Sequence, residues 1–317
     1  MNVLQRSVVH SDDVHHQANL LHGWGQSYVQ LDPGPFSGSV GIFRSETTRI
    51  VHENINRSVY QSGELDVHML AFGLPVQAAG GGLICGEEAT PQTVLVFSGA
   101  SGFEFLSPQC FEFIGIEIDT RASSDQRLTV MMHALEEKLT WGGRRAINLT
   151  PAGAKSLKQL LVSFSEVGAQ DVLPEQNTLL ERSLVGQILD ILDAKAPDGF
   201  GDVRRHWGTI SAIRAMVTES ECCPVSVAEL ALTLGVPRRT LQNVCQAILG
   251  MSPLQYLRAL RLSEARRLLQ QQCAVTEAAT RFGFWHLGYF SRDYHQMFGE
   301  LPSATLQRLK GASSRPH

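Results

Sequence analysis

A chain of 317 residues with 43% hydrophobic and 18% charged residues has room for two packed domains, which excludes a disordered chain or a small cysteine-stapled scaffold. The net charge of −4 hides an asymmetry: residues 202–317 carry 14 Lys and Arg against 8 Asp and Glu (+6), residues 1–201 carry 13 against 23 (−10). No window approaches the roughly 20 apolar residues that span a bilayer, and residues 1–30 lack a basic start followed by an apolar stretch, so a cytoplasmic chain with no membrane partner is expected.

The first thirty residues place His10, His15, His16 and His22 near Asp12 and Asp13. Adjacent histidines in a polar stretch read as solvated, and no metal is assigned to them. From Tyr28 to Asp119 short apolar or alternating runs are separated by turn residues such as Asp32-Pro33-Gly34-Pro35 and Ala79-Gly80-Gly81-Gly82. Strands are predicted near 39–44, 49–60, 66–74, 82–85, 93–97, 103–106 and 111–118, a spacing that suits a sandwich or barrel over residues 1–120. If such a barrel holds a small-molecule effector, Trp24, Tyr28, Phe43, His68, Phe72 and Phe97 are the region to probe, although aromatic residues at strand spacing also make plain core.

An enzyme finds no support in this half. His52 and His68 stand alone without an HxH pair, and GxSxG, HExxH and a phosphate-binding Gly-rich loop with its Lys-Ser/Thr are all missing from the sequence. No catalytic residue and no cofactor is assigned, and a metal-dependent enzyme stays as the weakest alternative. The six cysteines, Cys85, Cys110, Cys222, Cys223, Cys245 and Cys273, lack CxxC spacing and read as reduced thiols.

After Thr120 the period becomes helical. Ser123-Ser124 can cap a helix to about Leu139, Thr150-Pro151 a second to about Val167, and a third runs from Pro174 or Glu175 to Lys195. The apolar stripe of the third includes Leu180, Leu184, Ile188 and Ile191 and is wide enough to serve its own domain on one edge and a second subunit on the other. Residues 121–195 are therefore read as a helical segment that suits dimerisation. Residues 196–206, beginning Ala196-Pro197-Asp198-Gly199, read as a linker.

Residues 207–312 read as the last domain, and within it Ser226 to Pro302 writes one pattern twice. Val227, Leu230 and Ala231 lead to Gly235, then Pro237-Arg238-Arg239-Thr240, then Leu241, Cys245 and Leu249, ending Gly250-Met251-Ser252-Pro253. Val275, Ala278 and Ala279 lead to Gly283, then Phe284-Trp285-His286-Leu287-Gly288-Tyr289, then Phe290, Tyr294 and Phe298, ending Gly299-Glu300-Leu301-Pro302. Helix, glycine turn, helix with an apolar residue every fourth position is helix-turn-helix grammar, in which the second helix enters a major groove. The face left outward carries Arg238, Gln242, Asn243 and Gln246 in the first copy and His286, His295 and Gln296 in the second. Arg, Asn and Gln match the bidentate edges of guanine and adenine, which makes these the base-reading candidates. Arg239, Arg258, Arg266, Ser291 and Arg292 are the phosphate candidates, with Arg258 and Arg266 on a long connecting helix that opens at Pro253.

The same residues carry a resemblance. Glu277-Ala278-Ala279, Arg281-Phe282-Gly283-Phe284, Tyr289-Phe290-Ser291-Arg292, Phe298-Gly299 and Pro302-Ser303, with Arg261 to Leu269 before them, resemble the DNA-binding domain of the AraC/XylS family of bacterial transcription regulators. Thr276 stands where that family often has an aspartate, and Trp285-His286 occupies a turn where small polar residues are usual. Over short runs, Tyr28 to Val40 also resembles ethanolamine-operon regulators and CdpR-type regulators. The resemblance implies an α+β chain: an N-terminal cupin-like β-barrel with a helical dimerisation segment and a C-terminal all-α double helix-turn-helix domain. It implies double-stranded promoter or operator DNA as partner, a homodimer, an effector in the barrel and RNA polymerase as a further partner. The competing class is an interaction protein or anti-activator whose helical domain grips another regulator or polymerase.

Overall fold

The computed structural model describes residues 5–44, 47–77, 80–98, 102–119, 121, 125–140, 145–167, 174–193, 204–218 and 226–313. The Ser123-Ser124 cap, nearly all of the linker and the Cys222-Cys223 pair lie outside them. Contacts divide the chain into one unit of Met1–Tyr28 with Ser37–Gly201 and a second of Val29–Phe36 with Asp202–His317.

Among the described residues twelve strands form two antiparallel sheets. The larger is built from β1 (Gln5–Ser11), β3 (Gly38–Arg44), β4 (Thr48–Ile55), β11 (Phe111–Asp119), β6 (Met69–Gln77), β9 (Thr93–Ser98) and β12 (Ala146–Asn148), in that spatial order. The smaller runs β2 (Ser27–Gln30), β5 (Val59–Gly63), β10 (Phe103–Ser107), β7 (Gly82–Ile84), β8 (Glu87–Ala89). One helix, α1 (Val14–Leu20), starts where the Asp13 side chain accepts from the backbone N–H groups of His15 and His16, a side-chain cap that the polar start of the chain supplies.

The period-2 alternation of β4 and β11 sends successive side chains to opposite faces of the large sheet. On one face Ile50, Phe72, Leu74, Ile114, Ile116 and Ile118 pack against α2 (Gln126–Thr140), α3 (Pro151–Val167) and α4 (Pro174–Asp193) through Leu128, Met132, Leu157, Leu161, Leu184 and Ile188. Among the described residues the other face meets an aromatic cluster in which Trp24, Phe97, Phe103 and Phe113 lie 4.9 to 5.7 Å apart, ring centroid to centroid. Space for Phe113 comes from a cross-strand glycine pair: a Cβ on Gly73 or Gly115 would come within 2.6 Å of its ring.

These positions show how the residues named as a region to probe are packed. Trp24, Tyr28, Phe43, Phe72 and Phe97 are all buried core, and Phe43 and Phe72 face the helices rather than the space between the sheets. His68 is exposed. The dimer stripe is corrected in part. Leu184 and Ile188 are fully packed into their own unit and Ile191 is partly buried against the same core, while the Leu180 side chain lies outside the description. Among the described side chains of α4, Leu179 is an exposed apolar one.

The second unit is helical: α5 (Arg204–Thr218), α6 (Val227–Leu234), α7 (Arg238–Leu249), α8 (Pro253–Gln270), α9 (Val275–Arg281), α10 (Leu287–Phe298) and α11 (Pro302–Ser313). Helix α5 begins inside the stretch expected to be linker and buries Trp207, Ile210 and Ile213. No helix among the described residues is long and apolar enough to cross a membrane.

Candidate nucleic-acid interface

The two repeats fold as two helix-turn-helix units, α6–α7 and α9–α10, joined by α8. In the first, Ser226 caps α6 by accepting from Glu229 N–H at 3.2 Å. Both turns need a left-handed residue, and both have glycine there: Gly235 at φ +65° and Gly283 at φ +71°. Helix α8 opens on a complete capping box between Ser252 and Gln255 with Pro253 at its first turn, which fixes where the connector begins.

Helix α7 buries Leu241, Val244, Cys245 and Ile248 and leaves Arg238, Arg239, Gln242, Asn243 and Gln246 exposed. Positions 238, 242 and 246 follow one another at single-turn spacing, with 239 and 243 alongside, so five polar side chains share one face. Burial pushes the Cys245 thiol up to about 12, so it behaves as a small apolar side chain. The face carries no carboxylate.

Helix α10 buries Phe290, Tyr294, Met297 and Phe298 and exposes Arg292, His295 and Gln296, with Ser291 half-buried and His286 exposed just before the first turn. Its one carboxylate, Asp293, is buried: it pairs with Arg258 of α8 at 2.9 Å and lies 3.8 Å from the Arg292 guanidinium. Trp285 and Tyr289, to which sequence pattern gives no role, are 73% and 61% exposed, with Leu287 at 40% between them. The Arg292 guanidinium sits 5.0 Å from the Tyr289 ring centroid, and His286 meets the same ring edge-on at 5.9 Å. Two bulky aromatics four positions apart, placed outside an otherwise regular apolar stripe, were the signal for this edge.

The connecting helix departs most from expectation. Arg266, a phosphate candidate by sequence, has a side chain only 3% exposed: it donates to Tyr294 Oη at 2.9 Å and Glu300 Oε1 at 2.7 Å, and lies 4.5 Å from the Phe298 ring centroid. Arg261 is buried in the same way, with its Nε donating to the Phe282 carbonyl at 2.6 Å and its guanidinium 4.4 Å from the Phe284 ring. A buried guanidinium persists only with partners of this kind. Burial also pushes the Tyr294 hydroxyl up to about 12, keeping it neutral and able to share hydrogen bonds with Arg266 and Thr305. These arginines fasten α9, α10 and α11 to α8. Arg258 remains more than half exposed while holding Asp293, so it can reach beyond the protein.

A family model described as a helix-turn-helix domain matches residues 230–308. Over 90 residues the chain is 42% identical to a protein named as the probable thc operon regulatory protein of Rhodococcus erythropolis, covering 27% of each chain. It is 37% identical over 90 residues to the XylDLEGF operon transcriptional activator of Pseudomonas putida, covering 27% of this chain and 28% of that one. Against the HTH-type transcriptional activator RhaS of Pectobacterium atrosepticum, identity is 32% over 165 residues, covering 52% of this chain and 57% of that one. The chain thus spans about a quarter to rather more than half of the length of these curated relatives. Among solved structures, the AraC-like transcriptional activator CuxR aligns over 88% of this chain and 99% of its own, at 13% identity and a TM-score of 0.45. A probable AraC family regulator from Rhodopseudomonas palustris aligns over 32% of this chain and 97% of its own, at 33% identity and a TM-score of 0.29.

Proposed function

We propose, from the AraC/XylS-type helix-turn-helix domain that forms the C-terminal part of this chain, that the protein is a sequence-specific transcription regulator. The observation that carries the reading is the pair of polar outward faces, Arg238, Gln242, Asn243 and Gln246 on α7 with no carboxylate, and Arg292, His295 and Gln296 on α10, whose one carboxylate, Asp293, is buried between Arg258 and Arg292. The relatives named as operon regulators and activators support the same class.

On this reading α7 and α10 enter successive major grooves about one helical turn, roughly 34 Å, apart. Arg238, Gln242, Asn243 and Gln246 read one block of bases, and His295 and Gln296 the other. Arg239, Ser291, Arg292 and Arg258 hold phosphates, with His286 beside the second turn, so affinity falls with salt. The protein acts in the cytoplasm as a homodimer, using surface outside the Leu184–Ile188 core, and contacts RNA polymerase when bound at a promoter. A small-molecule effector acts by binding one arrangement of the chain better than another.

Capture of fragmented bacterial genomic DNA by the purified full-length protein near physiological salt, followed by sequencing, tests the reading. Two short conserved blocks about ten base pairs apart are expected. Retention of fragments without a shared motif at any salt concentration would refute sequence-specific recognition.

A further inference from the structure

At one end of the large sheet, three neighbouring strands place a row of charges across the first unit. Register sets Arg44 of β3 opposite Arg49 of β4, and Arg49 opposite Glu117 of β11. They line a pocket of about 300 Å³ together with His22, Thr47 and Asp66, a volume at the small end of the range for small-molecule sites.

The floor of this pocket is an incomplete polar site. Arg49 and Glu117 have side chains only 9% and 2% exposed. Arg49 Nε donates to Glu117 Oε2 at 2.8 Å, and its terminal nitrogen reaches the His22 carbonyl at 2.9 Å. That satisfies one carboxylate oxygen. Glu117 Oε1 accepts no hydrogen bond, and neither does the buried Thr47 hydroxyl make one. Burial pushes the Glu117 carboxyl up, while Arg49 and, less, the indole N–H of Trp24 favour its ionised form; that N–H does not itself reach hydrogen-bond geometry. A buried carboxylate oxygen without a donor is costly, so the site is arranged for a donor that arrives from outside.

The surrounding charges narrow its chemistry. Asp66 and Asp119 already face Arg121, at 3.6 and 3.4 Å. Arg44 stands exposed at the rim, one strand away from the buried pair. An isolated cation would satisfy Glu117 and ignore Arg44, whereas an isolated anion would meet the unsatisfied Oε1 with like charge. We infer that the pocket binds a small zwitterion of amino-acid size, its ammonium group donating to Glu117 Oε1 and its carboxylate facing Arg44, with the Thr47 hydroxyl bonding the occupant.

The pocket is wired to a helix. Thr47 N–H donates to Glu181 Oε1 of α4 at 3.1 Å, and the Thr48 hydroxyl to the same oxygen at 3.4 Å, with Glu181 itself buried. An occupant that holds Thr47 therefore steadies the strand start on which α4 is anchored. This deepens the effector part of the proposed function and rests on it for its consequence, though not for the binding event.

Thermal unfolding and equilibrium dialysis of the full-length chain test the inference, using the twenty protein α-amino acids, γ-aminobutyrate, and n-butylamine and butyrate as half-ligands. At least one zwitterion should raise the unfolding temperature at millimolar concentration while neither half-ligand does. Glu117→Gln should weaken that zwitterion by about tenfold or more, the weight of a charge-assisted hydrogen bond. Arg44→Gln, at an exposed position that keeps the fold, should do the same, and Thr47→Val should weaken it less. The inference is overturned if no zwitterion binds, if a half-ligand binds as tightly, or if Arg44→Gln and Thr47→Val leave affinity unchanged. Because binding is read without DNA, a chain that selects a DNA motif but binds no zwitterion sinks this inference alone. One that binds a zwitterion but selects no motif sinks only the regulator reading.

Discussion

Replacing Arg266 by Met separates a structural arginine from a DNA-contacting one. The guanidinium makes two hydrogen bonds, to Tyr294 and Glu300, and lies against the Phe298 ring, at 3% exposure. Removing one partner of a buried ion pair costs about 3 to 5 kcal/mol, and loss of a desolvated cation–π contact about 2 kcal/mol within that. Glu300 is 24% exposed and keeps Thr305 at 2.9 Å and Arg308 at 3.1 Å, which places the expected loss near the lower end, about 3 kcal/mol. Hydrogen–deuterium exchange of α10 amides reads this locally, as a rise of roughly 150-fold in the opening equilibrium relative to wild type. The slope of log affinity against log salt, measured on DNA where the variant is folded, should not change. Arg239→Ala or Arg292→Ala should behave oppositely, each lowering the slope by about 0.9 and leaving exchange in α10 near wild type. Unaltered exchange in Arg266→Met with a reduced salt slope would refute the assignment and restore Arg266 to the phosphates.

Trp285 offers an apolar edge at the head of α10, and thymine methyls are the apolar feature of the major groove. Replacing thymine by deoxyuridine in the second block of a selected site should therefore weaken wild-type binding by about 0.8 kcal/mol for each methyl touched, with no such effect in Trp285→Ala. Equal sensitivity in both proteins would show that the edge reads something else. Within the first unit, Glu53 accepts from Tyr28 Oη at 2.9 Å and Gln17 Nε2 at 3.0 Å, and burial holds its carboxyl above the ordinary 4.5. A raised folded pKa stabilises fully below the unfolded value, and that contribution is lost as pH rises through the folded one. Glu53→Gln should thus gain stability relative to wild type as pH is raised from 4 upward in that window, measured by urea unfolding. A difference that stays constant with pH would contradict the burial argument.

Much of the architecture was legible because it is written in periodicity. The α6–α7 and α9–α10 repeats and the connector α8 follow from apolar residues three or four apart, with Gly235 and Gly283 between the helices. Strands β3, β6, β9, β10 and β11 follow from alternation between turn residues, whereas the single strand expected over 49–60 is two, β4 and β5, parted at Asn56 to Ser58. Strand β1 did not. It pairs with β3 at the sheet edge and exposes Val8 and Val9, so it shows no inward–outward pattern to read. Strands β8 and β12 have three residues each, too few for a period.

The outward side chains of α7 were legible for the same reason as its core: one stripe fixes the other. Side chains of α8 were not, because burial surrounds that helix on several sides and the sequence does not say which arginines are enclosed. Arg261 and Arg266 became visible as fasteners only when Phe282, Tyr294 and Glu300 were placed beside them. The polar pocket was hidden for a related reason. Glu117 lies 68 positions after Arg49, and cross-strand register alone puts it in a row with Arg49 and Arg44.

The measurement that bears most directly on two reading helices is selection of DNA by Asn243→Ala and by Gln296→Ala in parallel with wild type. Each lost base contact is expected to cost about 1 to 3 kcal/mol and to blur the bases it reads. Asn243→Ala should flatten one block of the motif and leave the other sharp, and Gln296→Ala should do the reverse. If both variants return the wild-type motif, or if both flatten the same block, the chain does not read two major grooves with α7 and α10.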